Sequence, residues 1–441
     1  MYKVLKIVLL SVGLSAATDI MAAVAASDTT EWTYRQCVDY ASEHNIDLRK
    51  KRLEKETDNA TLEESKAQWH PSLSFSTTQG FTNYARQQEN TDRNIYSGTY
   101  GIDASWTVFN GNVRRNQIKA DELQLQASQL GIDDYEYTLR TDILSKYLNI
   151  LYYKEAIGIA QRNLEVSEYQ MNRAKALMES GKMSRVDYSQ IESQYHTDKY
   201  SVMTAESSLA SAKMELKTVL ELGIGTEFDI ADTDFSDADV TTELPDKTDV
   251  FADACTWVPS LQQYRIAGQI SDYNIKIAKG GYYPQISLNA GAATANNSGG
   301  GKFGTQFLDR LNEQVSLSIS IPILDNKRNK TAVTKAKIEK LNSELDLEDA
   351  LTTLSQTIES IYIDAVNAQS QYISCGEQVK SAQLSDELVN EQFRLGMINT
   401  LDLLNAHNTL YSAQQQQLQA KYLAILNMKL LDFYRTSEID L

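Results

Sequence analysis

The chain has 441 residues and a net charge of −17. This length is too great for one ordinary core, so we expect several domains or an elongated repeat architecture. The acidic balance argues against nucleic acid as a partner, because the basic footprint that such binding requires is missing. The cysteines and histidines are scattered without metal-ligand or nucleophile–base spacing, so the sequence predicts no metal site, no cofactor and no enzyme.

The first 25 residues have the features of a secretory signal peptide. Lys3 and Lys6 form a basic start, Ile7 to Ala17 is a short apolar stretch, and Ala23–Val24–Ala25 is a cleavage motif of small residues. The apolar run is shorter than the ~20 residues that a membrane-spanning helix needs. We therefore predict an exported protein whose signal peptide is residues 1–25.

The rest of the chain repeats itself at an offset of about 215 residues. His70–Pro71 recurs as Tyr283–Pro284, and further anchors follow in the same order, among them Gly181 with Gly396. The predicted repeats are residues 26–222 and 250–441. An acidic segment, residues 223–249, is expected to join them as a linker or small subdomain.

Each copy is predicted to open with a helix and to continue with two strands. The helices are expected from Thr33 to Trp69 and from Ser260 to Lys279. Apolar and hydroxyl-bearing residues then alternate with the period of two that is typical of strands. Polar or glycine-rich loops are expected from Ala85 to Asn94 and from Asn296 to Asn312. The predicted apolar face of the second strand consists of Tyr96, Tyr100, Ile102, Ala104, Trp106 and Val108.

After the strands, each copy becomes helical without interruption. The stretch before Gly181 is roughly 65 residues, which as a helix is about 100 Å long. A heptad seam in the second copy indicates coiled-coil packing. Each copy therefore predicts a strand pair and a long α-helical coiled-coil hairpin that reverses at Gly181 or Gly396. The seam consists of Leu347, Leu351, Leu354, Ile358 and Ile361.

A strand with one apolar and one hydroxyl-rich face fits either a soluble sheet or the wall of a membrane β-barrel. The sequence favours the barrel, because a coil of about 100 Å cannot fold back to cover the strands. Membrane barrels have at least about eight strands, and open edges leave backbone groups unpaired in lipid. Several chains are therefore expected to share one barrel, and the pattern leaves their number open.

The sequence resembles the TolC-like outer membrane efflux protein family. The resemblance extends from Thr33 to Tyr434. It is clearest at Val108–Phe109–Asn110–Gly111, at Phe393–Arg394–Leu395–Gly396–Met397 and at Leu401–Asp402–Leu403–Leu404. It implies a mainly α fold with a membrane β-barrel, in which a homotrimer forms a twelve-stranded barrel and a periplasmic helical tunnel.

The resemblance also implies a function and partners. The chain would be the exit duct of a tripartite efflux or type I secretion system in the cell outer membrane, surrounded by outer-membrane lipid. It would receive substrates from an inner-membrane pump through a periplasmic adaptor (membrane-fusion) protein, and it would carry out no chemistry.

The resemblance places a gate at the periplasmic entrance. Asp402 corresponds to a position where acidic side chains ring the pore, and such a ring would favour cations. Asn405 stands where a second acid is common, which argues against a double ring. Phe393 and Ile398 replace a tyrosine and an arginine that close the entrance in the family. A closed state here is therefore expected to use other contacts.

Simpler roles remain open for several of these residues. Asp187 and Asp402 both follow helix-capping patterns, where a carboxylate suits the positive end of the helix dipole. The adaptor-contact tips are predicted at Gly181, Lys182, Met183, Gly396 and Met397, although the glycines need only reverse a helix.

Two other functions are compatible with parts of the pattern. An outlet for proteins instead of small molecules is compatible with the same fold. A periplasmic structural coiled coil or tether would explain the long helices, but it would not need the strand pattern.

Overall fold

A computed structural model describes residues 31–86 and 93–441. The predicted signal peptide and part of the predicted loop from Ala85 to Asn94 lie outside these residues. The elements of the first copy are α1 (Tyr34–His44), α2 (Ile46–Ala67), β1 (Ser72–Asn83), β2 (Asn94–Asn110), α3 (Val113–Glu179) and α4 (Arg185–Val219). Those that follow are α5 (Asp237–Val240), α6 (Lys247–Trp257), α7 (Pro259–Gly280), β3 (Gln285–Asn297), α8 (Phe303–Asp309), β4 (Asn312–Ser320), α9 (Arg328–Arg394) and α10 (Thr400–Thr436).

The same order of elements occurs twice, as the internal repeat predicts. α3 and α9 each contain 67 residues. Both are preceded by two residues with positive φ, Gly111 and Asn112 in the first copy and Asn326 and Lys327 in the second. This left-handed backbone is uncommon outside glycine. Its recurrence therefore indicates the same sharp turn from strand into long helix.

The first helix of each copy is broken, which corrects the prediction of one helix from Thr33 to Trp69. Asn45 ends α1 and caps α2, because its side chain accepts a hydrogen bond from the backbone N–H of Leu48. Its amide also donates to the carbonyl of Val219 at the end of α4. The second copy breaks at Val258–Pro259 between α6 and α7. α6 begins at Lys247, so part of the predicted acidic linker is helical.

The strands form one antiparallel sheet in the order β1-β2-β3-β4. Residues that pair across the sheet share a face, so the register identifies the two surfaces. Phe75 pairs with Ile102, which pairs with Ala292 on β3. Asp103 pairs with Ser74 on the opposite face. The predicted division into an apolar and a polar face is therefore confirmed.

A β-bulge corrects the predicted position of Val108. The register between β2 and β3 shifts between Thr107 and Phe109, and Phe109 pairs with Ile286. The extra residue reverses the alternation, so Phe109, and not Val108, continues the apolar face beyond Trp106. The period-two pattern could not reveal this change because the bulge leaves no break in composition.

The predicted loop from Asn296 to Asn312 contains the short helix α8. Gln306 on α8 is buried, and its side-chain amide bonds both the backbone N–H and the carbonyl of Asn297. The hydroxyl of Thr294 donates to the carbonyl of Phe307 at 2.7 Å. These contacts hold α8 against β3, although the glycine-rich sequence before it predicts only a loop.

The helical hairpins reverse at the predicted glycines. Gly181 has a φ of 74° and Gly396 one of 73°. At the first turn the N–H groups of Gly181 and Lys182 donate to the carbonyls of Met178 and Leu177. This is the Schellman pattern that closes helix C-termini. The heptad seam is also confirmed, because Leu354 and Ile358 are buried and the other seam residues pack around the same cluster.

The main hydrophobic core lies at the middle of the long helices, far from their tips. Tyr147 on α3 is buried there, and its hydroxyl donates to the carbonyl of Ala231 at 2.9 Å. Ile230, also buried, forms a bridge with Trp32. The acidic segment between the copies therefore packs against the helices and contributes to the core.

Among the described helices, none is apolar over a stretch long enough to traverse a bilayer.

Candidate functional site

The two hairpin tips carry matching acids at the third position of their returning helices. Ser184 caps α4, because its hydroxyl accepts from the N–H of Asp187 at 3.1 Å. Asn399 caps α10 in the same way, accepting from the N–H of Asp402 at 2.9 Å. In both tips a neutral residue is thus the cap, and the carboxylate lies in the first turn near the positive end of the helix dipole.

The side chain of Asp187 joins the two tips. Its Oδ2 accepts from the hydroxyl of Ser184 at 2.6 Å, and its Oδ1 accepts from Thr400 Oγ1 at 3.0 Å. Thr400 is only 3 % exposed. Asp187 is half-buried and therefore links the start of α4 to the start of α10 through a donor that has little access to water.

Asp402 has a different environment from Asp187. Its side chain is exposed, as is that of Asn405 one turn later on α10. Residues three apart share one face of a helix, so the two side chains project to the same side. The structure therefore leaves the carboxylate of Asp402 open to solvent at the hairpin tip.

Several apolar side chains are exposed at the tips. Phe393 and Ile398 stand where the resemblance predicts the loss of polar contacts. Both are apolar, and both are half-buried. Gly181, Lys182, Gly396 and Met397 are exposed, and Met183 is half-buried. The large exposed apolar side chains at these tips are Val186, Leu395, Met397 and Leu401.

A buried polar layer lies behind the tips, and sequence reasoning missed it. The Nε2 of His407 on α10 faces the Oδ2 of Asp198 on α4 at 3.2 Å, and both side chains are almost fully buried. Gln170 on α3 donates to Asn390 on α9 at 2.8 Å, and Asn390 in turn donates to Asp386. All four helices of the two hairpins therefore contribute to this layer.

The carboxyl group of Asp386 is unusual within this layer. Burial raises its pKa, while the nearby His407 and the hydrogen bond from Asn390 oppose the shift. No local motif reveals the layer, because Asp198 and His407 are 209 residues apart in the chain. Polar residues at buried coiled-coil positions could have given the only hint.

The polar face of the sheet forms a second candidate surface. Ser105 donates to the Oδ1 of Asn289 at 3.0 Å across β2 and β3. Asp103 lies beside Gly291, and both line a shallow cavity of about 210 Å³. The other lining residues are polar or small. This face can contact water and polar solutes along the length of the strands.

The chemistry of the remaining candidates is limited. No three His, Cys, Asp or Glu side chains converge as a possible metal site within residues 31–86 and 93–441. Burial raises the pKa of the Cys37 thiol to about 12, so it is protonated at neutral pH.

An amphipathic sheet joined to two helical hairpins of about 100 Å is the architecture of an outer-membrane export channel with a helical tunnel. The family model of the outer membrane efflux protein matches residues 37–221 and 254–429. The chain therefore belongs to the outer membrane efflux protein family. It is a transport protein of the cell outer membrane, with helices that extend into the periplasm.

Individual relatives agree with this family. The chain is 24% identical over 327 residues to the outer membrane efflux protein BepC of Brucella suis biovar 1, covering 74% of this chain and 69% of BepC. It is 24% identical over 398 residues to the outer membrane protein TolC of Escherichia coli K12, covering 87% and 78%. The CmeC outer membrane channel of Campylobacter jejuni has a TM-score of 0.75 at 15% identity, covering 91% of this chain and 86% of CmeC.

Proposed function

We propose that three copies of this chain form one continuous export duct. Each chain supplies four strands, so three chains supply twelve (3 × 4) for a single barrel. Two observations carry the proposal: β1 and β4 are sheet edges without a partner strand among the described residues, and the apolar face of the sheet is exposed. Pairing β4 of one copy with β1 of the next removes both edges, as a membrane requires.

The polar face of the sheet would then line the lumen. The side chains of Asp103, Ser105 and Asn289 lie on this face, and the apolar face would contact lipid. Alternation of apolar and polar residues is the pattern of barrels that enclose water. The long hairpins would continue the same passage into the periplasm as a helical tunnel.

The tips of the hairpins would form the periplasmic entrance and the docking surface for partner proteins. Exposed apolar residues such as Leu395 and Met397 suit contact with a periplasmic adaptor protein. The adaptor would connect the duct to an inner-membrane pump. Asp402 would place one carboxylate per copy near the threefold axis, where the three together would attract cations.

The oligomeric state tests the proposal. Light scattering of the purified full-length protein, with detergent mass subtracted, should give a trimer that precipitates when detergent is removed. Planar-bilayer recordings of the same preparation should show discrete conductance steps. A monomer that stays soluble without detergent, or a trimer without conductance, would contradict the proposed duct.

A further inference from the structure

We propose that the segment from Lys302 to Leu311, which contains α8 and is called here the collar segment, binds the lipids of the outer leaflet. Its apolar side chains would enter the acyl-chain region, and its basic ends would contact the lipid phosphates. The inference rests on the proposed barrel, because the outer leaflet meets the segment only if the apolar face of the sheet contacts the membrane.

The first observation is the side of the sheet on which the collar segment lies. Tyr100 on β2 pairs with Thr294 on β3, two residues along each strand from the pair of Ile102 and Ala292. Both pairs therefore lie on the apolar face. The hydroxyl of Thr294 donates to the carbonyl of Phe307, which places α8 on this face. The collar segment consequently lies outside the proposed barrel and does not cover its lumen.

Aromatic contacts fix the segment at this position. The ring of Tyr100 lies 6.3 Å from that of Phe303 and 5.9 Å from that of Phe307. Tyr96 and Phe81 are exposed nearby, at the ends of β2 and β1 opposite to the long helices. Aromatic side chains at strand ends are typical of the level of the lipid headgroups. The segment therefore lies at the depth of a membrane interface.

The second observation is the exposure of large apolar side chains on the segment. Leu308 is 72 % exposed, Phe303 53 % and Leu311 50 %. Between them in the chain, Gln306 bonds to β3 and Phe307 packs against Tyr100, so the exposed apolar residues are those that the sheet leaves uncovered. Exposed apolar side chains on a short segment with charged ends suit insertion into an interface. The segment adjoins the exposed apolar face of the sheet through the contacts of Phe307 with Thr294 and Tyr100.

The third observation is the charge at the ends of the segment. Lys302 precedes α8 and Arg310 follows it, and both are exposed. Within the described ranges neither makes an ion pair, although Asp309 lies next to Arg310 in the chain. Arginine and lysine bind phosphate by charge-assisted hydrogen bonds. The collar segment adjoins the apolar face of the sheet, and its two cationic side chains have no ion-pair partner within the described ranges. Together these features favour a phosphate-bearing lipid over a protein partner.

Depth-dependent quenching tests the apolar contact. Single variants Leu308→Trp, Ser318→Trp and Leu317→Trp would be reconstituted as full-length trimers in phosphatidylcholine nanodiscs with brominated acyl chains. Leu317 is exposed on the apolar face of β4 and serves as the membrane reference. The parent protein provides the background from its native tryptophans. The added fluorescence should be quenched for Leu308→Trp and Leu317→Trp, and much less for Ser318→Trp, because Ser318 lies on the polar face of the sheet and pairs with Ser287.

The outcomes separate this inference from the proposed function. Quenching of Leu317→Trp without quenching of Leu308→Trp would overturn the proposed lipid contact of the collar segment, while the proposed barrel would stand. Absence of quenching at both positions would overturn the barrel as well. Equal quenching of Leu308→Trp and Ser318→Trp would show that quenching does not distinguish the lipid side from the lumen side, which also contradicts the inference.

A second experiment tests the basic ends with lipid A as the phosphate-bearing probe. Parent and Lys302→Gln/Arg310→Gln trimers would be incubated with lipid A in detergent, and retained lipid would be counted by native mass spectrometry. Loss of each cation should weaken retention about fivefold. Lys335→Gln/Lys337→Gln, on the exposed surface of α9, is the matched control and should not change retention. Equal retention by all three proteins would contradict the phosphate contact.

Discussion

Thr400 Oγ1 donates a hydrogen bond to Asp187 Oδ1 at 3.0 Å, and this contact connects the first turns of α4 and α10. The two hairpins repeat one sequence pattern, in which Asp187 corresponds to Asp402. The repeat therefore places equivalent acids in two environments. One carboxylate joins the hairpins, whereas the other is exposed at the tip.

Removing the donor of this contact should loosen the tips. Thr400→Val retains the size of the side chain but deprives the half-buried carboxylate of Asp187 of a partner, which costs about 1–3 kcal/mol. We expect a trimer that folds but spends more time in high-conductance states in bilayer recordings. Thr409→Val is the control, because the hydroxyl of Thr409 donates within its own helix, to the carbonyl of Asn405. Identical open times in the three proteins would exclude a role for the contact in gating.

The charge at Asp402 should control cation passage. Asp402→Asn removes the charge while Asn399 continues to cap α10, so the helix start is retained. The variant should trimerise normally but lose cation preference and block by a trivalent cation. Asn405→Asp, which adds an acid one turn later, should strengthen the block. Bilayer electrophysiology that finds unchanged selectivity in both variants would refute a pore-lining role for Asp402.

A charge on the apolar face of the sheet should be costly. Leu317→Lys places an ammonium group against lipid, at a cost of about 2–4 kcal/mol near the bilayer midplane and less towards the interfaces. Ser318→Lys should be much milder, because Ser318 lies on the polar face and pairs with Ser287. The measurement is the fraction of folded trimer after denaturant titration. Equal losses for the two variants would mean that the faces are assigned incorrectly.

The buried carboxyl of Asp386 should make stability depend on pH. Burial raises its pKa in the folded protein, so its contribution is most favourable below the unfolded pKa and is lost as the pH rises through the folded pKa. Asp386→Asn should therefore melt at a higher temperature than the parent at pH 7. The difference should shrink as the pH is lowered towards 4, in melts followed by circular dichroism.

The control for this prediction is Asp364→Asn, which changes the same residue type at an exposed position on α9. It should leave the melting temperature almost unchanged at every pH. A difference between Asp386→Asn and the parent that is independent of pH would instead indicate a change in packing.

The sequence by itself determined the repeated unit, the faces of the strands and the reversal of the hairpins. These features depend on local rules. The alternation of Phe75 with its serine neighbours follows from the pleat of a strand. The turn at Gly396 follows from the freedom of glycine at positive φ. α3 and α9 contain no proline, so each extends without a break from the strands to its glycine turn.

Only the tertiary structure decided features that depend on distant partners. The break at Asn45 is fixed in part by its hydrogen bond to the carbonyl of Val219. The bulge near Val108 is fixed by pairing with β3, and the position of α8 is fixed by the hydrogen bond from Thr294. The pairing of Asp198 with His407 depends on the packing of α4 against α10. Such contacts have no local signature, because their energy depends on burial and geometry that a sequence pattern does not encode.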